Sequence, residues 1–390
     1  MATRKFRIMN VVGARPNMMK MAPLFTEMAS VDSFEPLLVH TGQHYDYDLS
    51  QVFFDQLQMP QPNFNLEVGS GTHHSQTAVV MERFGNLVQE CQPDLIVVVG
   101  DVNSTMACAL VGAKEVIPVA HVEAGLRSGD RTMPEEINRV VTDAVSDLLF
   151  TTEEAAGDNL RREGIPQERV HFVGNLMIDS LVHGLRAARC SALKNRMRLK
   201  SKEYVVLTLH RPANVDDPAR LVSTLTAIAE IARDYPVVFP IHPRTKARIA
   251  ASGFDGTREW IEGMNGLGIF TIPPASYLDF IGLVDDAALV ITDSGGLQEE
   301  TTYLGVDCLT FRENTERPVT VLHGTNRLVG TNPDNLLREA KAALRTVGHS
   351  RSGKQAPPPL WDGKAASRIV DVLQQYLLRN GNECSLRMAG

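Results

Sequence analysis

Short apolar runs alternate with longer amphipathic segments along the whole chain. The short runs are rich in β-branched residues and have the length of buried strands, whereas the longer segments have the periodicity of helices. Strands and helices in alternation form parallel sheets with helices packed on both faces, so the pattern predicts an α/β fold. The predicted strands are 6–13, 35–42, 95–101, 117–124, 147–152, 170–175, 204–210, 237–242, 268–273, 288–293 and 306–311.

Helices are predicted between these strands, and capping residues mark some of their ends. Ser75 and Ser104 are suitable N-caps, and Pro218 suits a first helical turn. The clearest predicted helices are 75–91, 104–116, 218–235 and 366–380.

The strands form two series, and the second series begins near residue 204. A chain of 390 residues also exceeds one ordinary hydrophobic core. We therefore predict two domains, each an open parallel sheet, with a cleft between them. The first comprises residues 1–175, with a C-terminal helix at 366–385 packing back on it, and the second comprises residues 176–365.

The composition is that of a globular protein with an acidic balance. Hydrophobic residues make up 43% of the chain, charged residues make up 22%, and the formal net charge is −7. A nucleic-acid binder normally carries a basic face or tail, so this charge argues against that class. The basic run 186–202 contains no acid, and we interpret it as a solvated helix face. Binding of an anionic small molecule stays compatible with the charge, because a few arginines suffice for a phosphate.

The cysteines indicate a reducing compartment. Their odd number and the lack of a C-x-x-C pair argue against a disulfide framework or a zinc site. No stretch approaches the roughly 18 consecutive apolar residues of a membrane span, and the N-terminal segment is interpreted as a strand instead of a signal peptide. We therefore predict a cytoplasmic protein without a membrane partner. The cysteines are Cys91, Cys108, Cys190, Cys308 and Cys384.

Polar side chains follow many of the predicted strands where each strand ends. In open parallel sheets this edge carries the ligand-binding crevice. Asp101 and Glu123 each end a strongly apolar strand, and carboxylates in a desolvated cleft can act as acid or base. His121 lies on the same side of its strand as Glu123. The alternatives are a cap for the helix at Ser104 in the case of Asp101, and a structural role in the case of Glu123.

The segment 134-PEEINR-139 places two acids and an arginine in one predicted helix. Glu135 and Arg139 are four residues apart, which is the spacing of an ion pair within a helix. The alternative is that this helix, which follows the turn at Gly129 and Asp130, presents its acids to the cleft. The sequence leaves both possibilities open.

Two positions suit an anionic group such as a phosphate. Arg15 and Lys20 flank the start of the first helix, where the alternative is that they are solvated surface cations. In the second half, Ser294, Gly295 and Gly296 stand where a strand ends and a helix begins. Helix N-termini offer unpaired N–H groups, and glycine lets a phosphate approach them closely.

Two further residues extend this second position. Arg317 adds a cation, and Glu300, one turn into the helix, suits an acceptor for the hydroxyls of a ribose. The alternative is that the glycine pair is a chance feature of a loop.

Common motifs of cofactor and metal sites are missing. The first strand is not followed by G-x-G-x-x-G, which removes support for a nicotinamide or flavin cofactor, and there is no P-loop, G-x-S-x-G or H-E-x-x-H. Asp46 and Asp48 form a D-x-D pair, but they lack the fold context of a metal-dependent sugar transferase. His73 and His74 have no acidic or cysteine partner nearby in the sequence. We predict no metal site.

The chain contains a series of motifs in order: 13-GARPNMMKMAPL-24, 41-TGQH-44, 100-GDVNST-105, 121-HVEAGLRS-128, 134-PEEINR-139, 173-VGN-175, 207-LTLHRPAN-214, 293-DSGGLQEE-300 and 315-TERPV-319. Taken together, these motifs resemble those of the non-hydrolysing UDP-N-acetylglucosamine 2-epimerase family over nearly the whole chain. The resemblance implies two Rossmann-like domains of the glycosyltransferase-B type, with the active site in the interdomain cleft and UDP held mainly by the C-terminal domain. It also implies a homodimer without a cofactor.

The resemblance also implies roles for individual residues. Glu300 falls where the family binds ribose, Phe280 falls where it holds uracil, and Arg139 is included in the substrate-binding set. The essential polar residues are Asp101, Glu123, Glu135 and His210. The residues near the diphosphate are Arg15, Lys20, Ser294, Gly295, Gly296 and Arg317.

The implied reaction interconverts UDP-N-acetylglucosamine and UDP-N-acetylmannosamine for bacterial or archaeal surface polysaccharides. Sugar carbon C2 has no adjacent carbonyl, so UDP is expelled as a base removes the C2 proton, and the proton returns on the other face of a 2-acetamidoglucal. Two faces require at least two proton-handling groups, which suits three carboxylates and a histidine. Arginines near the diphosphate stabilise the charge on the leaving UDP.

Some features leave the substrate and the regulation open. The segment 43–54 differs from the allosteric region of common bacterial members, which argues against activation by UDP-N-acetylglucosamine, and Ala275 replaces a polar residue of some members. The form of the segment 125–139 also occurs in relatives that act on a UDP-2,3-diacetamido uronic acid. A hydrolysing relative, a glycosyltransferase of the same architecture and a non-enzymatic sugar-nucleotide binder are competing hypotheses for the function.

Overall fold

The computed structural model describes residues 4–42, 59–261, 266–347 and 356–388. The chain divides into two compact units, Met1–Ser180 with Pro359–Gly390, and Leu181–Pro358. The chain therefore leaves the first unit after Ser180 and returns to it after Pro358.

The first unit is built on a seven-stranded parallel sheet. Its strands are β1 Phe6–Val12, β2 Phe34–His40, β3 Phe64–Asn65, β4 Leu95–Val99, β5 Val119–Val122, β6 Leu148–Thr151 and β7 Val170–Phe172. Their order across the sheet is β3-β2-β1-β4-β5-β6-β7, which is the Rossmann order with one strand added at the edge. The helices are α1 Arg15–Ala29, α2 His73–Cys91, α3 Asn103–Lys114, α4 Pro134–Val145, α5 Glu154–Arg162, α6 Leu176–Arg189, which runs into the second unit, and a C-terminal helix, Ala365–Met388.

The sheet of the first unit is buried on both faces. Ile8 and Val12 of β1 pack in one hydrophobic cluster with residues of α1 and the C-terminal helix. Met9 and Val11 pack in a second cluster with residues of α2 and α3. Successive side chains of a strand point to opposite faces, so burial of both faces requires the continuous apolar runs seen in the sequence.

The C-terminal helix packs in the first unit, although about half of the chain separates it from the strands there. Asp179 caps its N-terminus by accepting hydrogen bonds from the backbone N–H groups of Ala365 at 3.1 Å and Ala366 at 2.8 Å. Gly174 has a φ of +93°, and a Cβ at this position would lie 2.1 Å from the carbonyl oxygen of Leu360. Only glycine therefore lets the returning chain pass this closely.

The second unit repeats the architecture. Its strands are β8 Val205–Thr208, β9 Val237–Pro240, β10 Thr257–Glu259, β11 Ile269–Ile272, β12 Leu289–Thr292, β13 Cys308–Thr310 and β14 Asn326–Leu328. They lie in the order β10-β11-β9-β8-β12-β13-β14, which is again the Rossmann order once the edge strand β10 is set aside. The helices are α7 Leu193–Arg196, α8 Pro212–Val215, α9 Pro218–Ile231, α10 Pro243–Ser252, α11 Tyr277–Asp285, α12 Gly295–Leu304, α13 Val319–Leu322 and α14 Pro333–Leu344, and the C-terminal helix is α15.

The predicted α/β class is confirmed, and every predicted strand is present. The strands β3, β10 and β14 were missed. Pro218 stands in the first turn of α9, as predicted. Ser75 and Ser104 are not N-caps, because α2 follows Thr72 and α3 follows Val102, in both cases without a side-chain capping bond.

In the basic run, Arg189 pairs with Asp285 at 2.8 Å and Lys194 pairs with Asp286, so part of the run forms ion pairs within its own unit. None of the helices in the four described ranges combines the length and the apolar character needed to cross a membrane. The cysteines with free thiols are Cys91, Cys108, Cys190 and Cys308.

Candidate active site

The two sheets place polar residues at equivalent strand ends. The strand order reverses between β1 and β4 in the first unit and between β8 and β12 in the second. Ligands of open α/β sheets bind outside the carboxyl ends of the strands at such a reversal. Lys20 and Asp101 come after β1 and β4, and His210 and Asp293 come after β8 and β12.

An acidic cluster, formed by Asp101, Glu123 and Glu136, lies in the first unit. Glu123 follows β5 directly, and its Oε2 atom forms an ion pair with Nζ of Lys20 from α1. Both residues are buried, at 7% exposure each. A Cβ at Gly100 would lie 3.5 Å from each of the two charged atoms, so the loop after β4 passes against this pair.

The backbone of Glu123 adopts a left-handed conformation, with φ +72°. For a residue that has a Cβ this costs about 1–3 kcal/mol. The N–H groups of Glu123 and Ala124 both donate to the carbonyl of Phe150 at 3.0 Å, which holds the strained turn. Strain of this kind is concentrated at functional sites, so it marks Glu123 as a candidate catalytic residue.

Arg139 joins the other two acids of the cluster. Its Nη2 and Nε atoms donate to Oδ2 of Asp101 at 2.6 and 3.0 Å, and its Nη1 donates to Glu136 at 2.7 Å. The helical ion pair of Arg139 with Glu135 does not form in the described residues. Asp101 does not cap α3 either, because the N-cap residue of α3 is Val102 and no side-chain hydrogen bond caps this helix. The part of the chain that the structure describes therefore contains neither the helical ion pair of Glu135 nor the capping role of Asp101.

The two adjacent acids of α4 have different surroundings. Glu136 is buried and also accepts hydrogen bonds from the backbone N–H groups of Ser128 and Gly129, both at 2.9 Å. Burial opposes its ionisation, but these N–H groups and Arg139 outweigh burial and lower the pKa of Glu136. Glu135 is half-buried and makes no side-chain hydrogen bond or ion pair within the described ranges. Glu136 is thus structural, and Glu135 is the acid available to a ligand.

A buried histidine–aspartate pair, which the sequence analysis did not predict, lies next to the acidic cluster. Nδ1 of His121 lies 2.6 Å from Oδ1 of Asp143, and Nε2 lies 2.8 Å from the carbonyl oxygen of Gly100. Oδ2 of Asp143 accepts a hydrogen bond from the backbone N–H of Gly125 at 3.0 Å. The pair therefore links the loops after β4 and β5, which carry two members of the acidic cluster.

The helix α4 forms these contacts through a polar buried face. Residues three, four and seven apart share one face of a helix, and in a helix that packs on a core this face is normally apolar. The polar residues at positions 136, 139 and 143 break that rule, and this is the signal from which Asp143 could have been found. The buried residues of α4 are Glu136, Asn138, Arg139, Thr142 and Asp143.

Asp143→Asn is expected to remove a source of stability that depends on pH. Burial opposes the ionisation of Asp143, but the charges and hydrogen bonds of His121 and Arg127 outweigh burial and hold the pKa of Asp143 below its ordinary value. A carboxylate of this kind stabilises the fold above its unfolded pKa of about 3.9, and the stabilisation is lost as the pH falls through the lower, folded-state pKa. The variant should therefore unfold at a lower temperature than the wild type at about pH 7, with a difference that narrows below about pH 4. Calorimetry across this range measures both curves, and a difference independent of pH would contradict the expectation.

In the second unit the Ser-Gly-Gly motif begins α12. Ser294 is the N-cap residue, and Gly295 and Gly296 form the first turn. A Cβ at Gly295 would lie 2.6 Å from Nη1 of Arg317. Glycine therefore lets the guanidinium group lie against the helix N-terminus, where the N–H groups and the helix dipole attract anions.

Arg317 belongs to an arginine cluster, formed by Arg312, Arg317, Glu299 and Glu316. Nε of Arg317 donates to Glu299 at 2.7 Å and Nη1 donates to Glu316 at 2.6 Å. Burial opposes the ionisation of Glu316, but Arg317 and Arg312 outweigh burial and hold the pKa of Glu316 well below its ordinary value. The buried Nη1 of Arg312 has no hydrogen-bond partner in the part of the chain that the structure describes. Of this cluster, Arg317 alone was predicted from the sequence.

The remaining predicted residues of the second unit lie on three elements. His210 follows β8, and its Nδ1 lies 2.8 Å from Oδ1 of Asp293. Glu300 is buried in α12, at 5% exposure. Phe280, on α11, and Ala275 are half-buried and pack against the core.

Some predicted features lie outside the described residues. They are the side chain of Arg15, whose backbone begins α1, and the segment 43–54 with Asp46 and Asp48. Within the ranges that are described, no group of three or more His, Cys, Asp or Glu residues is arranged to hold a metal ion.

A family model described as UDP-N-acetylglucosamine 2-epimerase matches residues 26–374 of the chain. The chain belongs to the UDP-N-acetylglucosamine 2-epimerase family. The resemblance inferred from the sequence motifs is therefore confirmed.

Individual members of the epimerase family are similar over nearly their whole length. A UDP-N-acetylglucosamine 2-epimerase of Methanococcus maripaludis is 38% identical over 375 residues, which cover 94% of this chain and 98% of that protein. A UDP-2,3-diacetamido-2,3-dideoxy-D-glucuronate 2-epimerase of Pseudomonas aeruginosa is 37% identical over 373 residues, which cover 94% and 99%. The crystal structure of Methanocaldococcus jannaschii UDP-GlcNAc 2-epimerase in complex with UDP-GlcNAc and UDP has a TM-score of 0.83 and 38% identity, covering 95% of this chain and 100% of that one. Similarity to such structures confirms the glycosyltransferase-B type of fold.

In this epimerase-family chain the residues predicted from sequence fall into two groups. The second unit packs Gly295 against Arg317 and places His210 beside Asp293, to which the sequence analysis had assigned no role. Glu135 lies in the first turn of α4, the helix that carries Arg139. In the first unit, one ion pair joins Lys20 to Glu123 and another joins Arg139 to Asp101. The loop at residue 100 lies against the first of these pairs.

Proposed function

We propose that this protein is a non-hydrolysing UDP-N-acetylglucosamine 2-epimerase, an isomerase that interconverts UDP-N-acetylglucosamine and UDP-N-acetylmannosamine. The observation that carries the proposal is the strained, buried Glu123, joined to Lys20 in the same unit as Asp101. The 38% identity to an enzyme of that name supports it. Binding of an anionic sugar nucleotide alone would not call for several carboxylates.

The proposed reaction is an elimination followed by a re-addition. A base removes the C2 proton, the C–H electron pair forms the C1–C2 double bond, and the C1–O bond breaks to release UDP. The intermediate is 2-acetamidoglucal. UDP then adds back at C1 as a proton is delivered to C2 from the opposite face, which inverts C2 and leaves the other centres unchanged.

Asp101, Glu123 and Glu135 are proposed to share the acid and base roles. The side chain of Asp101 is 31% exposed and is held through Oδ2, while its Oδ1 makes no hydrogen bond within the described ranges. Glu135 likewise has no partner there. Arg139 is proposed to act through Asp101, whose carboxylate it orients with two hydrogen bonds.

The nucleotide is proposed to bind mainly to the second unit, with His210 beside the phosphate. Glu300 would accept hydrogen bonds from the ribose, and Phe280 would pack against uracil. The packing of Arg317 on the N-terminus of α12 supports a diphosphate site. The residues proposed to contact the diphosphate are Arg15, Lys20, Ser294, Gly295, Gly296 and Arg317.

Incubation with UDP-N-acetylglucosamine in D2O is expected to place deuterium at C2 of both epimers, because the removed proton exchanges with solvent. Proton NMR follows the loss of the C2 signal and the growth of UDP-N-acetylmannosamine. A glycosyltransferase would leave C2 unlabelled, and a hydrolysing enzyme would release free N-acetylmannosamine with UDP. Either result would refute the proposal, and boiled enzyme provides the control.

A second substrate is supported by the 37% identity to the UDP-2,3-diacetamido-2,3-dideoxy-D-glucuronate 2-epimerase. That sugar carries a carboxylate at C6 and a second acetamido group at C3. The kcat/KM values for the two nucleotide sugars, measured on one preparation, decide between them. A higher kcat/KM for the uronic acid would mean that the protein catalyses the same 2-epimerisation on that nucleotide sugar.

We further propose a cytoplasmic homodimer that supplies surface polysaccharide synthesis. The free thiols of Cys91, Cys108, Cys190 and Cys308 support a reducing compartment. The dimer rests on the family resemblance, and light scattering on the purified protein tests it.

A further inference from the structure

Asp293 is a buried carboxylate with four donors, three from the loop that follows β8 and one from the short helix α8. It comes directly after β12 and is 0% exposed. Its oxygens accept hydrogen bonds from the backbone N–H groups of His210 at 3.1 Å and Arg211 at 2.9 Å, and from the side-chain amide of Asn214 at 3.1 Å. The fourth donor is Nδ1 of His210, which lies 2.8 Å from Oδ1.

This contact decides which ring nitrogen of His210 carries a proton. Burial opposes the ionisation of Asp293, but the hydrogen bonds and charge of its partners, with His210 first, outweigh burial and lower the pKa of Asp293. An ionised carboxylate only accepts hydrogen bonds, so Nδ1 must hold a proton. Nε2 makes no hydrogen bond within the described residues, and 55% of the side chain is exposed.

We propose that Asp293 is a positioning residue for the epimerisation, which acts by holding His210 in the Nδ1–H form; this rests on the function proposed above. The carboxylate also stabilises the imidazolium form. As the C1–O bond breaks, its electron pair passes to the β-phosphate oxygen. The imidazolium, which is protonated on both ring nitrogens, donates its Nε2 proton to that oxygen and becomes the neutral Nδ1–H ring. In re-addition the oxygen bonds to C1 and the proton returns to Nε2.

Asp293→Asn should move the proton of the neutral His210 ring from Nδ1 to Nε2. Oδ2 of Asp293 faces the N–H donors of Arg211 and Asn214, so the amide oxygen of an asparagine takes that place. Its NH2 group then faces Nδ1 of His210, which must accept a hydrogen bond. The neutral ring carries its proton on Nε2, and the imidazolium is no longer stabilised.

Asp293 also anchors the loop after β8, and a lower rate alone would not separate the two roles. A double-mutant cycle does so. We expect Asp293→Asn to lower kcat by about 10²-fold or more with KM changed less than about threefold, as for a lost tautomer in a comparable pair. In a His210→Gln background the same substitution should lower kcat no further. An anchoring role would lower it by the same factor in both backgrounds.

Asp216→Asn is the matched control. Asp216 follows α8 directly, and its carboxylate pairs with Arg244 at 2.6 Å at the surface. The chemical change is identical, and kcat should stay within about twofold, as for an exposed ion pair.

Nitrogen-15 NMR of labelled histidine tests the proton arrangement without using activity. The His210 signals are those missing from the spectrum of His210→Gln, and in the wild type they should report protonated Nδ1. The Asp293→Asn signals should report Nε2–H. A wild-type ring protonated on Nε2 alone, or equal effects of Asp293→Asn in both backgrounds, would overturn the proposal. Lack of C2 exchange in the wild type would instead refute the epimerase function. If Asp293→Asn does not fold, the wild-type spectrum still tests the pairing of His210 with Asp293.

Discussion

Glu123→Gln is expected to lower kcat for epimerisation by about 10³-fold, with KM for the nucleotide sugar changed less than about threefold. Glutamine keeps the size of the side chain but cannot take up a proton, so binding persists while the chemical step fails. Deuterium incorporation at C2 and formation of the second epimer, both followed by NMR at saturating substrate, measure the effect. A variant that keeps more than a tenth of the wild-type rate would exclude Glu123 as an acid or base.

The same substitution also leaves Lys20 as a buried cation without its carboxylate, which costs about 3–5 kcal/mol of unfolding free energy. The double variant Lys20→Met/Glu123→Gln removes both charges and should regain most of that stability while staying inactive. Glu163→Gln is the control for a lost carboxylate, because Glu163 pairs with Arg127 where 37% of its side chain is exposed. It should change kcat less than about twofold.

Arg317→Ala is expected to weaken UDP binding by about 10- to 100-fold, since each hydrogen bond between charged groups contributes about 1.5–3 kcal/mol. It should also lower the unfolding free energy, by less than the roughly 3–5 kcal/mol of a fully uncompensated buried charge, because Glu316 keeps its ion pair with Arg312 at 2.8 Å when the cation that it shares with Glu299 is lost. Titration calorimetry with UDP and urea unfolding measure the two effects.

Two variants sharpen this experiment. Arg317→Lys keeps the charge but lacks the planar group that donates from Nε and Nη1 to two carboxylates, so an intermediate loss is expected. Arg327→Ala removes a half-buried arginine of the same unit that pairs with Glu339 at 3.5 Å, and it should leave UDP affinity unchanged. Unaltered UDP affinity in Arg317→Ala would exclude a role in binding the diphosphate.

The strands were predictable because both faces of each sheet are covered. A run such as Leu95–Val99 is apolar at every position, since alternate residues enter different cores. The strand β10 contains Thr-Arg-Glu at the edge of its sheet and carries no such signal. Helix starts were less predictable, because α2 and α3 begin without side-chain caps.

The strand-end residues of the site were predictable, but their partners were not. Helical spacing suggested Glu135 for Arg139, whereas the fold supplies Asp101, which is 38 residues away in sequence. Periodicity shows which face of a helix is buried but does not show that this face carries charge. Asp143 was overlooked for that reason. Such partners depend on which strand ends lie beside one another, and that is fixed by the tertiary fold.

The charged interior of α4 has a consequence for attempts to make this protein tolerate heat. Apolar substitutions of buried ion pairs often raise stability, because desolvated charges yield little net free energy. In α4 the same exchange would release the loops that hold Asp101 and Glu123, so a higher melting temperature there would come with lost turnover. Substitutions that raise the melting temperature without loss of turnover must therefore be made on other elements. Natural selection is expected to preserve the buried charged residues of α4 as strictly as the acids that they support.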